Sequence, residues 1–204
     1  MSVLYLIQAF AAIFAITDPL GAAPVFVGLT ATMTPEQKKR AAVRAVIYST
    51  IILAVSTLIG RFILQAFGIS LPAFEAAGGL VLVLMGLEML GGTPTRVQHD
   101  SPSETDKPDP ILIPFAMPLI AGPGAITAVI TLTAQRADWT GQLTTLIAIA
   151  GAMIVMLIVL LSAVWISNRV SQQGLRIVLR FMGLILLAIG AQLLLTGVHD
   201  FLKS

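Results

Sequence analysis

The sequence predicts an all-α membrane protein with six transmembrane helices, arranged as two inverted three-helix repeats with helices 1 and 4 broken at mid-membrane. Three observations predict this fold: the composition, the apolar runs, and Gly/Pro interruptions at matching positions in the two halves. Of the 204 residues, 57% are hydrophobic and 11% are charged, and the mean hydropathy is +0.95. Soluble domains carry roughly 25% charged residues, so this chain cannot cover a surface that faces water.

A transmembrane helix needs about 20 largely apolar residues. Candidate spans lie near 3–32, 42–67, 72–91, 111–134, 143–167 and 177–198. Residues 92–110 are rich in Pro, Ser, Thr and acids, a composition typical of a flexible aqueous linker. We therefore expect a first three-span repeat over 1–91, a cytoplasmic polar linker over 92–110 and a second three-span repeat over 111–204.

The basic residues predict the orientation, because cytoplasmic loops carry an excess of Lys and Arg. With the N-terminus outside, nine of the 12 Lys and Arg residues fall on the inner side and only Arg61, Arg136 and Lys203 on the outer side. The stretch PEQKKRAAVR at 35–44 contributes to the inner group, and we interpret it as a solvated loop that also attracts anionic lipid. Both termini are expected to be periplasmic.

The first span contains a sequence that breaks helices. As one helix its roughly 30 residues would reach about 45 Å, whereas the hydrocarbon core is only about 30 Å thick. A break over Thr17–Gly21 divides the span into two half-helices, since Pro19 lacks an N–H and Gly21 frees the backbone. Pro24 follows within the second half-helix. The fourth span repeats the plan, with interruptions at Pro118, Gly122, Pro123 and Gly124.

The two halves also match when the sequence is shifted by 104 residues. Asp18-Pro19 then coincides with Gly122-Pro123, and Gly79 and Gly86 coincide with Gly183 and Gly190. Three spans per repeat is an odd number, so the two copies cross the membrane in opposite directions, as in many transporters. We interpret the four glycines of the third and sixth spans as small-residue faces for close helix packing.

Paired broken spans are the best sequence indication of a midplane substrate site. Each break exposes N–H groups at a positive helix end and C=O groups at a negative one. A carboxylate such as Asp18 within a membrane is a functional candidate by default, and we take it as the coupling-ion candidate. An alternative is that Asp18 only caps the second half-helix, as Asp before Pro commonly does. The candidate substrate-binding residues are Thr17, Asp18, Pro19, Gly21, Gly122, Pro123, Gly124 and Thr127.

The remaining charged residues suggest structural roles. Glu75 stands at the outer start of the third span, where an acid in the first helical turn favours the helix dipole. Glu88 and Arg180 lie at similar depths, so they either form an ion pair or face the interface.

Several classes of function are excluded on chemical grounds. The chain has no cysteine and two histidines, no metal-ligand spacing and no nucleophile elbow. We therefore expect no metal, no cofactor and no enzymatic activity. The net charge of +2 is too small and too dispersed for a nucleic-acid partner, and no sequence feature indicates an oligomeric state.

Four stretches resemble the MarC (UPF0056) family of bacterial inner-membrane proteins. They are DPLGAAPVF at 18–26, GGLVLVLMGLEM at 78–89, PLIAGPGAI at 118–126 and LRFMGLILLAIGAQ at 179–192. The resemblance covers essentially the whole chain and implies a multipass inner-membrane protein. Some members of that family are described as proton-coupled transporters of small neutral amino acids such as glycine and alanine.

The expected function is therefore secondary transport of a small neutral amino acid or a related small solute. The expected partners are the lipid bilayer and that solute. Two alternatives stay open: export of another small metabolite, and a membrane partner or regulatory protein that transports nothing.

Overall fold

The computed structural model describes residues 3–91, 120–136, 138–165 and 172–203. Within these ranges the chain is helical and contains no strand. The helices are α1 (Val3–Thr17), α2 (Pro19–Leu29), α3 (Pro35–Ala66), α4 (Leu71–Gly91), α5 (Pro123–Gln135), α6 (Trp139–Leu161) and α7 (Gln172–Lys203).

Five helical stretches of the described chain are long and apolar enough to cross a membrane. They are α1 together with α2, then α3, α4, α6, and α7 from Arg176 onward. The predicted fourth span lies partly outside the described residues, as do Pro118 and the whole linker over 92–110. The described part of that span contains α5.

The interpretation of residues 35–44 as a loop is wrong. α3 begins at Pro35, because Thr34 and Gln37 form a capping box. The Gln37 N–H donates to Thr34 Oγ1 over 3.3 Å, and the Thr34 N–H donates to Gln37 Oε1 over 2.8 Å. The signature Thr-Pro-Glu-Gln is visible in the sequence and predicts a helix start. The basic residues of this first part of α3 are largely exposed, which is compatible with both helix and loop.

α4 and α7 pack antiparallel, with their backbones close together. A Cβ built on Gly190 would lie 2.8 Å from the Gly79 carbonyl oxygen, and one on Gly86 would lie 2.8 Å from the Gly183 carbonyl oxygen. A side chain at any of these positions would meet backbone atoms of the other helix. The absence of Cβ atoms therefore sets the separation of α4 and α7.

The start of α1, the end of α5, the start of α4 and the end of α7 lie together, at what we call the Tyr5 end of the bundle. The Arg136 guanidinium carbon, just after α5, lies 4.3 Å from the centroid of the Tyr5 ring. Gly197 near the end of α7 packs against Pro72 at the start of α4. Further along α4, Gly78 packs against the Thr127 side chain of α5. The first and last helices of the described chain thus reach the same end.

The dipole role predicted for Glu75 is wrong, because α4 begins at Leu71 and has no acid in its first turn. Glu75 lies in the second turn and is buried, with 5% of its surface exposed. At the other end of α4, Glu88 Oε2 is buried and has no hydrogen-bond partner in the described part of the chain. Arg180 is exposed on α7.

Candidate functional site

A single residue, Asp18, separates α1 from α2. Its backbone is left-handed, with φ 39° and ψ 70°, a conformation that Asp tolerates better than most residues. The Asp18 N–H donates to the Phe14 carbonyl over 3.2 Å, and the Asp18 carbonyl accepts the Ala22 N–H over 3.0 Å. Asp18 therefore belongs to the hydrogen-bonding pattern of both helices. Pro19 follows at the first helical position of α2, where its missing N–H costs nothing.

The Asp18 carboxylate caps α2. Its Oδ1 accepts the Gly21 N–H over 3.1 Å, which satisfies one of the free donors at the helix start. Its Oδ2 occupies the space that a side chain at Gly21 would fill, because a Cβ built there would overlap it. That Cβ would also lie 3.1 Å from Leu179 Cδ2 of α7. Only glycine fits at position 21 while the Asp18 carboxylate caps α2, because any side chain there would overlap the carboxylate.

The start of α5 resembles the start of α2 but has no carboxylate cap. α5 begins at Pro123, and its N-cap Gly122 is extended, with φ −69° and ψ 175°. No side chain of the described residues caps this helix start. Gly122 and Gly124 are buried, whereas Pro123 is exposed. The first turn of α5 therefore brings main-chain N–H groups into the protein interior without a capping side chain.

The start of α5 lies beside the break between α1 and α2. A Cβ built on Gly124 would lie 3.8 Å from Ile16 Cγ2 and 3.1 Å from Leu82 Cγ. α2 continues from the break away from the Tyr5 end, whereas α5 runs from its break toward that end. The N-termini of α2 and α5, which carry free N–H groups and partial positive charge, therefore approach each other from opposite directions.

Two buried threonines flank these helix starts. Thr17 is 1% exposed and Thr127 is 3% exposed. Thr17 Oγ1 donates to the Phe14 carbonyl over 3.3 Å, and Thr127 Oγ1 donates to the Pro123 carbonyl over 2.9 Å. Since each hydroxyl hydrogen is already used, each oxygen offers lone pairs. Such oxygens suit a ligand that donates hydrogen bonds, such as an ammonium group.

The structure thus brings the predicted residues of the two breaks, 17–21 and 122–127, to one region. The other predicted residues are elsewhere: Pro24 lies inside α2, and the paired glycines lie between α4 and α7. Leu82 and Leu179 cover the two breaks, and no sequence signal distinguishes them from other apolar residues.

No group of three or more His, Cys, Asp or Glu side chains that could hold a metal ion occurs among the residues the structure describes. The only charged side chain that we assign to the breaks is that of Asp18. The polar groups available there are therefore helix ends, hydroxyl oxygens and one carboxylate.

These features define an integral membrane protein with several apolar helices and a polar break inside the bundle. The chain belongs to the MarC family: the model of the MarC family integral membrane proteins matches residues 3–202.

Relatives cover nearly the whole chain. A UPF0056 membrane protein of Methanocaldococcus jannaschii is 38% identical over 99% of this chain and 100% of its own length. A UPF0056 membrane protein of Pyrococcus abyssi is 36% identical over 93% of this chain and 92% of its own. The UPF0056 membrane protein YhcE of Escherichia coli is 32% identical over 93% of this chain and 89% of its own. No solved structure matches the chain significantly.

Proposed function

We propose that this protein is a proton-coupled secondary transporter of small neutral amino acids such as glycine and alanine in the bacterial inner membrane. One observation carries the proposal: two helix N-termini meet in the interior, beside a carboxylate and two buried hydroxyl oxygens. Broken helices that direct their N-termini at an anionic substrate group are a recurring transporter site. Asp18 is our candidate for the proton-carrying group.

The chemistry of the site favours a zwitterion. The N–H groups at the start of α5 can bind a carboxylate, and the oxygens of Asp18, Thr17 and Thr127 can bind an ammonium group. The surroundings limit the size of the side chain, because Leu82 packs directly on Gly124. Four buried alanines lie at or beside the breaks: Ala22, Ala23, Ala121 and Ala125. A ligand much larger than alanine would displace these residues.

The proposal includes two inverted three-span repeats that alternate access to the site. It is supported by the reciprocity of the glycine contacts between α4 and α7. Gly79 packs on Gly190 and Gly86 packs on Gly183, and a shift of 104 residues relates Gly79 to Gly183 and Gly86 to Gly190. Each pair is therefore converted into the other by exchanging the two halves, as expected for a two-fold pseudosymmetric arrangement.

Glycine transport is tested with purified protein in proteoliposomes. We expect labelled glycine and alanine to accumulate against a concentration gradient when the outside is acidic, and only to equilibrate without a pH gradient. Labelled leucine is the matched substrate control and should not accumulate, because its side chain does not fit the site. The absence of glycine and alanine flux under either direction of the gradient would contradict the proposal and favour another solute or a protein that does not transport.

We further propose that the Tyr5 end faces the periplasm, which places both termini there. The support is the distribution of basic residues along the chain. Because the chain has no cysteine, single cysteines can be introduced without removing others. A membrane-impermeant maleimide should label Ser70→Cys in intact cells, and Gln98→Cys only after permeabilisation. The reverse pattern would overturn the orientation.

A further inference from the structure

The first turns of α3 extend beyond the part of the helix that the membrane core can cover. α3 has 32 residues and is therefore about 48 Å long, whereas the hydrocarbon core is about 30 Å thick. Between Arg44 and Arg61 the helix has no charged residue, and this stretch is about 26 Å long. Because it nearly matches the core, Arg44 lies at one boundary of the core and the residues before it lie in the headgroup layer.

One face of α3 combines basic residues with an exposed apolar stripe. Arg40 and Arg44 are exposed, and they share a face because they are four residues apart. The face continues at spacings of three and four with exposed apolar residues, which are Ile47, Ile51, Val55, Leu58 and Phe62. The opposite face is buried in the bundle and includes Ala42, Ser49 and Leu53. The exposed stripe is therefore the side of α3 that meets the acyl chains of the bilayer.

A groove of about 480 Å³ lies at the basic end of this stripe. Its lining in the described chain consists of Glu36, Lys39, Arg40, Val43 and Arg44. Three of these side chains are cationic and one is anionic, so the groove carries an excess of positive charge. Guanidinium groups bind phosphate oxygens through paired hydrogen bonds. The groove is thus suited to a phosphodiester group.

The position of the groove favours a lipid over a soluble anion. A phospholipid carries a phosphate and acyl chains on one molecule, and α3 offers a surface for each of them. Ile47 and Ile51 follow Arg44 by three and seven residues, or about 4.5 and 10.5 Å along the helix axis. Acyl chains that extend from a phosphate in the groove would therefore lie on these two residues. A soluble anion would use the groove alone.

The other end of α3 lacks this arrangement. Gly60 packs against Ile130 of α5, and Arg61 lines a separate cavity with Gln65 and Gln142 toward the Tyr5 end. No further Lys or Arg occurs between Arg61 and the end of α4. Arg61 is therefore a single cation, whereas the groove at the start of α3 presents three.

We propose that the first turns of α3 form a binding site for an anionic phospholipid in the leaflet opposite the Tyr5 end. Arg40 and Arg44 hold the phosphate, Lys39 adds positive charge, and the acyl chains lie on Ile47 and Ile51. The site does not depend on the proposed transport function. A bound lipid fixes the depth of α3, because its phosphate lies in the headgroup layer.

Native mass spectrometry of the purified full-length protein in detergent tests the site. Dioleoylphosphatidylglycerol should bind more tightly than dioleoylphosphatidylcholine, which has the same acyl chains without the net negative charge. The double variant Arg40→Gln/Arg44→Gln should weaken binding of phosphatidylglycerol by roughly tenfold or more, since each basic residue near a membrane surface contributes about fivefold. Its binding of phosphatidylcholine should be unchanged.

A matched control removes the same amount of charge from the other end of the bundle. Arg61 and Lys203 are both exposed, and Arg61→Gln/Lys203→Gln should retain phosphatidylglycerol as the unsubstituted protein does. Glu36→Gln tests the groove in the opposite direction without removing a cation. It should tighten binding of phosphatidylglycerol, because the only acid in the described lining is lost.

Three outcomes would overturn the proposal. Equal affinity for the two lipids would show that the negative charge is not recognised. An equal loss in the two double variants would show that net charge alone attracts the lipid. Glycerol 3-phosphate that binds as tightly as phosphatidylglycerol would show a site for a soluble anion. None of these outcomes depends on whether glycine is transported.

Discussion

Replacing Asp18 with Asn should abolish glycine accumulation driven by a pH gradient, although the protein still folds and inserts. Asn accepts a left-handed backbone and caps helices about as well as Asp, so both α1 and α2 should keep their geometry. The titratable charge beside the two helix N-termini is lost. The effect is measured by comparing two assays: the uptake of labelled glycine under a pH gradient, and the exchange of labelled for unlabelled glycine. Normal accumulation by Asp18→Asn would remove the proton-coupling role while leaving the binding site intact.

Two further variants separate capping from coupling. Asp18→Ala removes both the charge and the cap and should lose about 0.5–2 kcal/mol of stability.

Gly21→Ala keeps the charge but displaces it, because the new Cβ overlaps the Asp18 carboxylate. We therefore expect Gly21→Ala to impair transport. Gly28→Ala on the same helix is the matched control, since nothing lies within 4 Å of its added Cβ. Equal transport by Gly21→Ala and Gly28→Ala would show that the carboxylate position is unimportant.

A large loss of stability should come from Gly190→Ala in the contact between α4 and α7. The new Cβ would lie 2.7 Å from the Val83 nitrogen and 2.8 Å from the Gly79 carbonyl oxygen. These are backbone atoms, so the clash can be relieved only by moving a helix. Such overpacking typically costs about 1–3 kcal/mol. Thermal unfolding in detergent, followed by size-exclusion chromatography, should show a clearly lower midpoint than that of the unsubstituted protein.

Gly28→Ala is again the control for that experiment. It makes the same chemical change in a helix, but at a position open to its surroundings. Because Ala is a better helix former than Gly by about 1 kcal/mol, its midpoint should be unchanged or raised. Equal midpoints for Gly190→Ala and Gly28→Ala would contradict the close packing of α4 on α7.

Local features of the chain were predictable because their causes are local. The apolar runs predicted membrane helices, and Asp18-Pro19 predicted the break between α1 and α2, since Pro and Asp act on the backbone beside them. Thr34 through Gln37 carried the signal for the start of α3 equally clearly, and only the neighbouring positive charges led to a loop being predicted there. The family could also be recognised, because its motifs are contiguous stretches of sequence.

The tertiary structure decided which helix faces pack against each other. Leu82 and Leu179 lie over the first turns of α5 and α2, and Glu75 is buried in the second turn of α4 rather than placed in its first turn. No local rule determines these contacts, because every face of an apolar membrane helix looks nearly alike in sequence. The choice between them depends on which pair of helices can approach most closely, and that depends on residues far apart in the chain. The sequence by itself determined a membrane protein whose first span is broken at Asp18. Only the packing of the helices placed the start of α5 beside that break and buried Glu75 inside the bundle.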